Sequence, residues 1–367
     1  MKVQEIYLSN GYTRFMVVDD EQKPIEPILL YMKYLDSIQK SPNTQRTYCY
    51  GLRDFFLYLK LINVQYKDVK LSTLANFLTW LVNPSILNKV QHITYPRLKS
   101  EKTINLRMTT ILAFYKFLFQ FEYISEDITQ NSYIKVKNVR SYKDFLYHIN
   151  KGKALSKNIL KIKEPKSVVK TIPDEVINNA FRQTKNPRDI FLLCLLYETG
   201  LRIGEVLSLY KEDITFDIAN GHKLHIKNRN PHLNDARLKT GERTIFISID
   251  LVDLFDDYMY DIIDFDNSPY MFIKLKGQNK GQKMSYYDIC SLFKRISQIV
   301  DYHLYPHLFR HTHATKYFNQ TKNIKSVQER LGHRHIQTTM ELYLHPSEEE
   351  KREQWLKAQE AFKMEGY

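Results

Sequence analysis

Residues 3–24 alternate apolar with polar positions in two runs, VQEIYLS and YTRFMVV, parted by a polar NG and closed by DDEQK, the period of two of a half-buried hairpin. From about residue 25 the spacing turns helical. In NTQRTYCYGLRDFFLYLK the residues Tyr48, Leu52, Phe55, Phe56 and Leu59 make one apolar stripe, and in KTINLRMTTILAFYKFLF the residues Ile104, Met108, Ile111, Leu112, Tyr115, Leu118 and Phe119 make another. LSTLANFLTWLV predicts a shorter helix between them. The expected organisation is an N-terminal hairpin segment over 1–24 and a small helical domain over 25–126.

Residues 127–170 are weakly periodic and read as an extended, partly ordered basic connector, with SYKDFLYHI a candidate helical turn. A second domain is expected over 171–346. Pro173 followed by Asp174 and Glu175 suits the first turn of a helix, and Asn186-Pro187 opens another that runs through RDIFLLCLLYE until Gly200 stops it. GHKLHIKN and GERTIFIS read as short strands, the second preceded by a Thr240-Gly241 turn, and beyond them the pattern is helical. Over 347–367, Ser347 and Glu350 form a capping box, and Trp355, Ala358 and Phe362 share one face. This last helix has two berths, its own domain or a neighbouring protomer. The fold class is therefore mainly α with a small antiparallel sheet, in two domains.

Charge sharpens this outline. The formal net charge is +13, and residues 127–170 hold 11 lysines and arginines against three acids, so eight of the thirteen net charges lie in one stretch. Such a focus favours a polyanionic partner, because clustered cations displace counterions from a phosphate backbone. The longest apolar stretch, 190–197, is too short to span a bilayer and the opening residues lack a leader pattern, so no membrane role and a cytoplasmic location are expected. Three scattered cysteines, Cys49, Cys194 and Cys290, fit reduced thiols, with Cys194 a core position.

Four stretches carry candidate chemistry: TGLRIGEVLSL, LKTGERTIFIS, HLFRHTHAT and LGHRHIQTTMELYLH. His307 and Arg310 leave one face of a helix. His307 and His311 have the spacing of a zinc pair, but no acid stands beside the first, and Arg310 would put a permanent charge against a dication, so no metal is expected. A phosphate suits the arginine fork better. Arg202 falls near a helix start, where anions are already attracted; a surface ion pair with Glu205 is the plainer reading. Lys239 would project from a hairpin tip, and each motif alone is weak.

Together, in the order Arg202, Lys239, His307-x-x-Arg310, Leu-Gly-His333, Tyr343, they resemble the signature of the tyrosine recombinase (phage integrase) superfamily across residues 171–345. The helical region is similar to that family's core-binding, SAM-like domain. The hairpin and overall length most resemble the transposase A subunits of site-specific bacterial transposons. The resemblance implies a site-specific recombinase or transposase that forms a 3′-phosphotyrosine intermediate without a cofactor. It casts Tyr343 as nucleophile, Arg202 and Arg310 as phosphate clamps, His307 as general base, Lys239 as general acid and His333 as donor to a phosphate oxygen. Because the insertion NRNPHLNDAR lengthens the approach to Lys239, Lys227 competes for the hairpin role. His311, His313 and His335 are expected to be structural.

The implied partners are double-stranded DNA gripped by a two-domain clamp, other copies of the chain in a tetramer on paired sites, and accessory transposon proteins as candidates. Candidate DNA contacts are Arg46, Arg53, Lys102, Arg107, Lys135, Lys137 and Arg140. A type IB topoisomerase-like activity and a non-catalytic DNA-binding protein are the alternatives.

Overall fold

The computed structural model describes residues 1–9, 13–83, 99–136, 155–165, 170–229, 241–261 and 268–333, with Arg352, Trp355 and Leu356 of the tail. The chain divides into two compact units, Met1–Lys166 and Ser167–Tyr367.

In the first unit, β1 (Lys2–Tyr7) and β2 (Thr13–Val18) pair antiparallel, Lys2 opposite Val18 and Tyr7 opposite Thr13. Phe15 and Val17 enter the same core as the helices that follow, so the hairpin is part of this unit's packing. Those helices are α1 (Glu26–Ser37), α2 (Pro42–Leu61), α3 (Leu71–Val82) and α4 (Glu101–Gln120). The two long ones start on serine caps: Ser41 accepts from the Thr44 N–H and Ser100 from the Thr103 N–H, each satisfying an amide that the first helical turn leaves unpaired.

The α2 stripe is buried from Cys49 through Leu59, with Tyr48 at its edge. Helix α4 is covered on more than its predicted stripe. Phe114 and Phe117 are also buried, their rings 5.5 and 5.1 Å from Tyr31 of α1, while Phe119 is only half-buried.

Within residues 127–170, read as an extended, partly ordered connector, the described residues include two short strands. β3 (Tyr133–Val136) and β4 (Leu155–Asn158) pair antiparallel, and Leu160 then enters the first unit's core. Asn105 of α4 fixes the irregular chain that follows, accepting from the Ile162 N–H at 2.9 Å and donating to the Ile162 carbonyl at 2.9 Å. Local periodicity could not reveal this, because the partners of these residues lie some 57 positions away. The candidate turn SYKDFLYHI lies outside the described residues.

The second unit opens with α5 (Asp174–Gln183), α6 (Pro187–Thr199) and the single turn α7 (Ile203–Val206). Its sheet is β5 (Ile214–Thr215), β6 (Lys223–Ile226) and β7 (Arg243–Phe246), antiparallel in that spatial order, with Ile226 opposite Arg243. Next come α8 (Ile249–Asp261), α9 (Tyr286–Val300), α10 (Pro306–Thr321) and α11 (Ile324–Leu331). Central α6 packs against both α8 and α10. Its run Phe191, Leu192, Leu193, Leu195 and Leu196 is wholly buried, as a helix covered on all sides requires, and Cys194 is partly buried beside it.

The expectation of helix throughout the region after β7 fails over 268–284. There Met271, Phe272 and Ile273 run through the core as irregular chain, and the segment turns back at Gly277 and Gly281, both at positive φ. The Met271 N–H donates to the Leu209 carbonyl and the Met284 N–H to the Phe272 carbonyl, so the buried backbone is paired without a helix. Among the described residues no helix is long and apolar enough to cross a membrane. In the tail, Trp355 and Leu356 are helical and exposed; Ser347, Glu350, Ala358 and Phe362 lie outside the described residues.

Candidate active site

Helix α6 ends on Gly200 in the left-handed conformation (φ 62°), and a β-carbon there would stand 2.6 Å from the His313 ring. The chain can therefore turn sharply at this point, delivering Arg202 to the N-cap of α7 two residues later. Glu205 reaches back to this cap, its Oε2 accepting from the Arg202 N–H at 2.9 Å and its Oε1 from Arg202 Nη1 at 3.2 Å. The pair expected on the surface exists but is not a surface pair, for the Glu205 side chain is only 4% exposed. Burial by itself would raise the Glu205 pKa. The Arg243 fork, donating from Nη1 at 3.2 Å and from Nη2 at 2.9 Å, prevails with the Arg202 amide and the Arg310 charge, and brings it down to about 2.

Helix α10 starts with Pro306 at its first position, putting His307 in the first turn and Arg310 one turn further. Arg310 is 3% exposed and bridges two other elements, donating to the Gly200 carbonyl at 2.7 Å and to the Leu331 carbonyl at 2.8 Å. Arg202 Nη1 approaches the same Leu331 oxygen at 3.3 Å.

The reason lies in how α11 ends. With Gly332 left-handed, the His333 N–H bonds the Gln328 carbonyl at 3.0 Å and the Gly332 N–H bonds that of Glu329 at 3.0 Å, a Schellman termination. Such an end leaves the carbonyls of Arg330 and Leu331 without helical donors at the negative pole of the helix. Arg243 Nε takes the first at 3.0 Å, and Arg202 and Arg310 take the second. Three guanidiniums are thus collected at one helix end, and His333 follows directly.

The histidines here are held neutral. His307 is shifted below its usual value by burial and by the Arg310 and Arg202 charges, and His333 is brought to about 4 by burial with the same two arginines. His311 packs edge-on against His307, ring centres 4.3 Å apart, and falls to about 4 through burial, then His307 and Arg310. His313, at about 3 chiefly through burial, lies between the Tyr197 carbonyl at Nδ1 (2.9 Å) and Arg330 Nε at Nε2 (3.2 Å). That places its proton on Nδ1 and leaves Nε2 to accept.

The family model for the phage integrase family matches residues 166–350, and that for the phage integrase N-terminal SAM-like domain matches residues 28–121. The chain is 34% identical over 362 residues to transposase A from transposon Tn554 of Staphylococcus aureus, covering 97% of this chain and 98% of that protein. The chain belongs to the phage integrase family. It is accordingly an enzyme of the tyrosine recombinase type, a DNA strand transferase. Tyrosine recombinase XerC of Staphylococcus aureus is 25% identical over 329 residues, covering 89% of this chain and 93% of that one. Two solved structures share the fold. XerH site-specific recombinase bound to palindromic difH substrate, a post-cleavage complex, matches with TM-score 0.59 and 16% identity over 94% of this chain and 90% of that one. The Tn1549 transposon integrase with a circular intermediate DNA matches with TM-score 0.57 and 19% identity over 90% of this chain and 99% of that one.

Of the site residues expected from the sequence, Arg202, His307, Arg310 and His333 converge here, whereas Lys239 and Tyr343 lie outside the described residues, as does His335. The competing Lys227 stands 3.6 Å from buried Asp213, which Arg229 already holds at 2.6 and 2.7 Å. In the first unit Arg46 and Lys102 are exposed, while Arg53 (2.7 Å) and Arg107 (3.2 Å) both pair with buried Asp54. Lys135 lies on β3; Lys137 and Arg140 are outside the described residues.

Arg243 and Arg330 escaped the sequence reading. One signal was available for Arg243: it shares the period-two face of buried Ile245 and Ile247, so an arginine is turned inward.

The depressed histidines predict an acid-sensitive fold. An unfolded chain binds protons near pH 6.5 that the folded one refuses until about pH 4 at His311 and His333 and about pH 3 at His313. Stability should be full above pH 6.5 and fall as pH drops below it, by up to about 1.4 kcal/mol per pH unit for each histidine. Melting temperatures between pH 7.5 and 5 check this; a flat profile contradicts it.

Proposed function

We propose that this chain cuts and rejoins duplex DNA at specific sites through a 3′-phosphotyrosine link, moving a mobile element. The observation that carries the reading is the convergence of Arg202 and Arg310 on the Leu331 carbonyl, with His307 and His333 beside them. Two fixed positive charges set close together stabilise the negative charge that grows on a phosphorane's oxygens.

In the proposed cycle the Tyr343 oxygen bonds to phosphorus as the bond to the 5′-oxygen breaks. His307, neutral at working pH, takes the phenol proton, and Lys239 gives one to the departing 5′-oxygen. His333 donates to a non-bridging oxygen. The ester is exchanged rather than hydrolysed, so the reverse attack by a 5′-hydroxyl reseals a strand. Duplex DNA is the partner, bound by copies of this chain on paired sites, with the exposed cations of the helical unit and the basic stretch contacting its backbone.

The test is a nicked duplex whose short cleaved end diffuses away, presented as a library of candidate element ends. The expected product is a covalent protein–DNA adduct that maps by mass spectrometry to the peptide containing Tyr343. Cleaved strands with no attached polypeptide would overturn the reading.

A further inference from the structure

We propose that Arg243 is a positioning residue for strand transfer: it neutralises Glu205 so that the charge of Arg202 is kept for the phosphate, and it fastens β7 to the ends of α7 and α11. The inference rests on the reading of Arg202 and Arg310 as the phosphate clamp.

Its side chain is 10% exposed and bonds two separate elements, the Glu205 carboxylate of α7 through both Nη atoms and the Arg330 carbonyl of α11 through Nε. Glu205 is equally enclosed, so its charge must be balanced from within the protein. Among the described residues, the cations acting on it include Arg243, Arg202 and Arg310. Take away Arg243, and the carboxylate leans more heavily on the two proposed clamp residues. Arg202, already 3.2 Å from Oε1, would then be shared between Glu205 and the substrate.

The same side chain fixes geometry. Arg330, whose carbonyl Arg243 holds, itself reaches the Glu198 carbonyl at 2.9 Å and the Phe246 carbonyl of β7 at 3.3 Å. The strand, the α6 end and the α11 end are therefore cross-tied by two arginines, and the strand begins four residues after Lys239 in the chain. A planar fork can make this three-way tie, whereas an ammonium cannot.

The experiment uses the full chain on the nicked duplex, comparing wild type with Arg243→Met, Arg243→Lys and Arg243→Met/Glu205→Gln for DNA affinity and single-turnover adduct formation between pH 5.5 and 8.5. Arg243→Met should keep DNA affinity within about threefold and form adduct on the order of 100-fold more slowly. The deficit relative to wild type should shrink as pH falls, because protonating the unbalanced Glu205 releases Arg202. Adding Glu205→Gln should recover at least roughly tenfold, since a neutral amide no longer draws that guanidinium. A residue that merely holds the fold together would give neither the pH trend nor the recovery, and that result overturns the proposal, as does a wild-type rate in Arg243→Met. Should Arg243→Met not fold, Arg243→Lys carries the same decision: about tenfold slower at unchanged affinity supports the proposal, and an unchanged rate refutes it. If wild type itself forms no adduct, the functional reading falls and this inference falls with it.

Discussion

Arg310→Lys is expected to slow covalent adduct formation by 10²–10³-fold, on the order of what one preorganised donor to a reacting oxygen is worth. The guanidinium spans the Gly200 and Leu331 carbonyls from two different nitrogens, at 2.7 and 2.8 Å, and is almost wholly enclosed. An ammonium is a single point of charge. It can satisfy one of those carbonyls but not both while facing two phosphate oxygens. The Leu331 carbonyl keeps Arg202, but a Gly200 carbonyl left behind is buried and unpaired, a loss of roughly 1–3 kcal/mol, so a lower melting temperature should accompany the slower rate. Single-turnover cleavage of a nicked duplex, measured beside thermal unfolding, checks both. Near-wild-type cleavage would show that Arg310 does not touch the phosphate.

Tyr343→Phe should remove covalent adduct altogether while leaving DNA affinity within about threefold, because a single hydroxyl adds little to an interface governed by phosphate contacts. The phenol is the proposed nucleophile, and a phenyl ring has no oxygen to bond to phosphorus. Gel-shift titration and denaturing electrophoresis on the same samples separate binding from chemistry. A normal yield of adduct from the variant would mean that a different tyrosine attacks, and the chain has 26 of them.

The sequence made much of this site legible, for physical reasons that differ from residue to residue. Gly200 was readable because a helix must end and a left-handed residue ends it well, and Arg202 stands two residues beyond that stop; the matching stop at Gly332, directly before His333, was not read. The His307–Arg310 spacing was readable because it is one turn of a helix. What stayed hidden depended on contacts distant along the chain. Nothing local says that Glu205 is buried, because its enclosing partner, Arg243, is 38 positions away. Likewise the chain at Ile162 is held by Asn105 of α4, and the irregular core passage at 268–284 takes the Leu209 carbonyl from elsewhere in its unit.

The gathering of guanidiniums at the end of α11 also bears on folding. Like charges are gathered there and only partly offset by Glu205 and the carbonyls of the helix end, so a bound anion is expected to stabilise this unit. If Arg202 and Arg310 are the phosphate clamp, DNA should protect this unit from unfolding by more than surface neutralisation alone would supply.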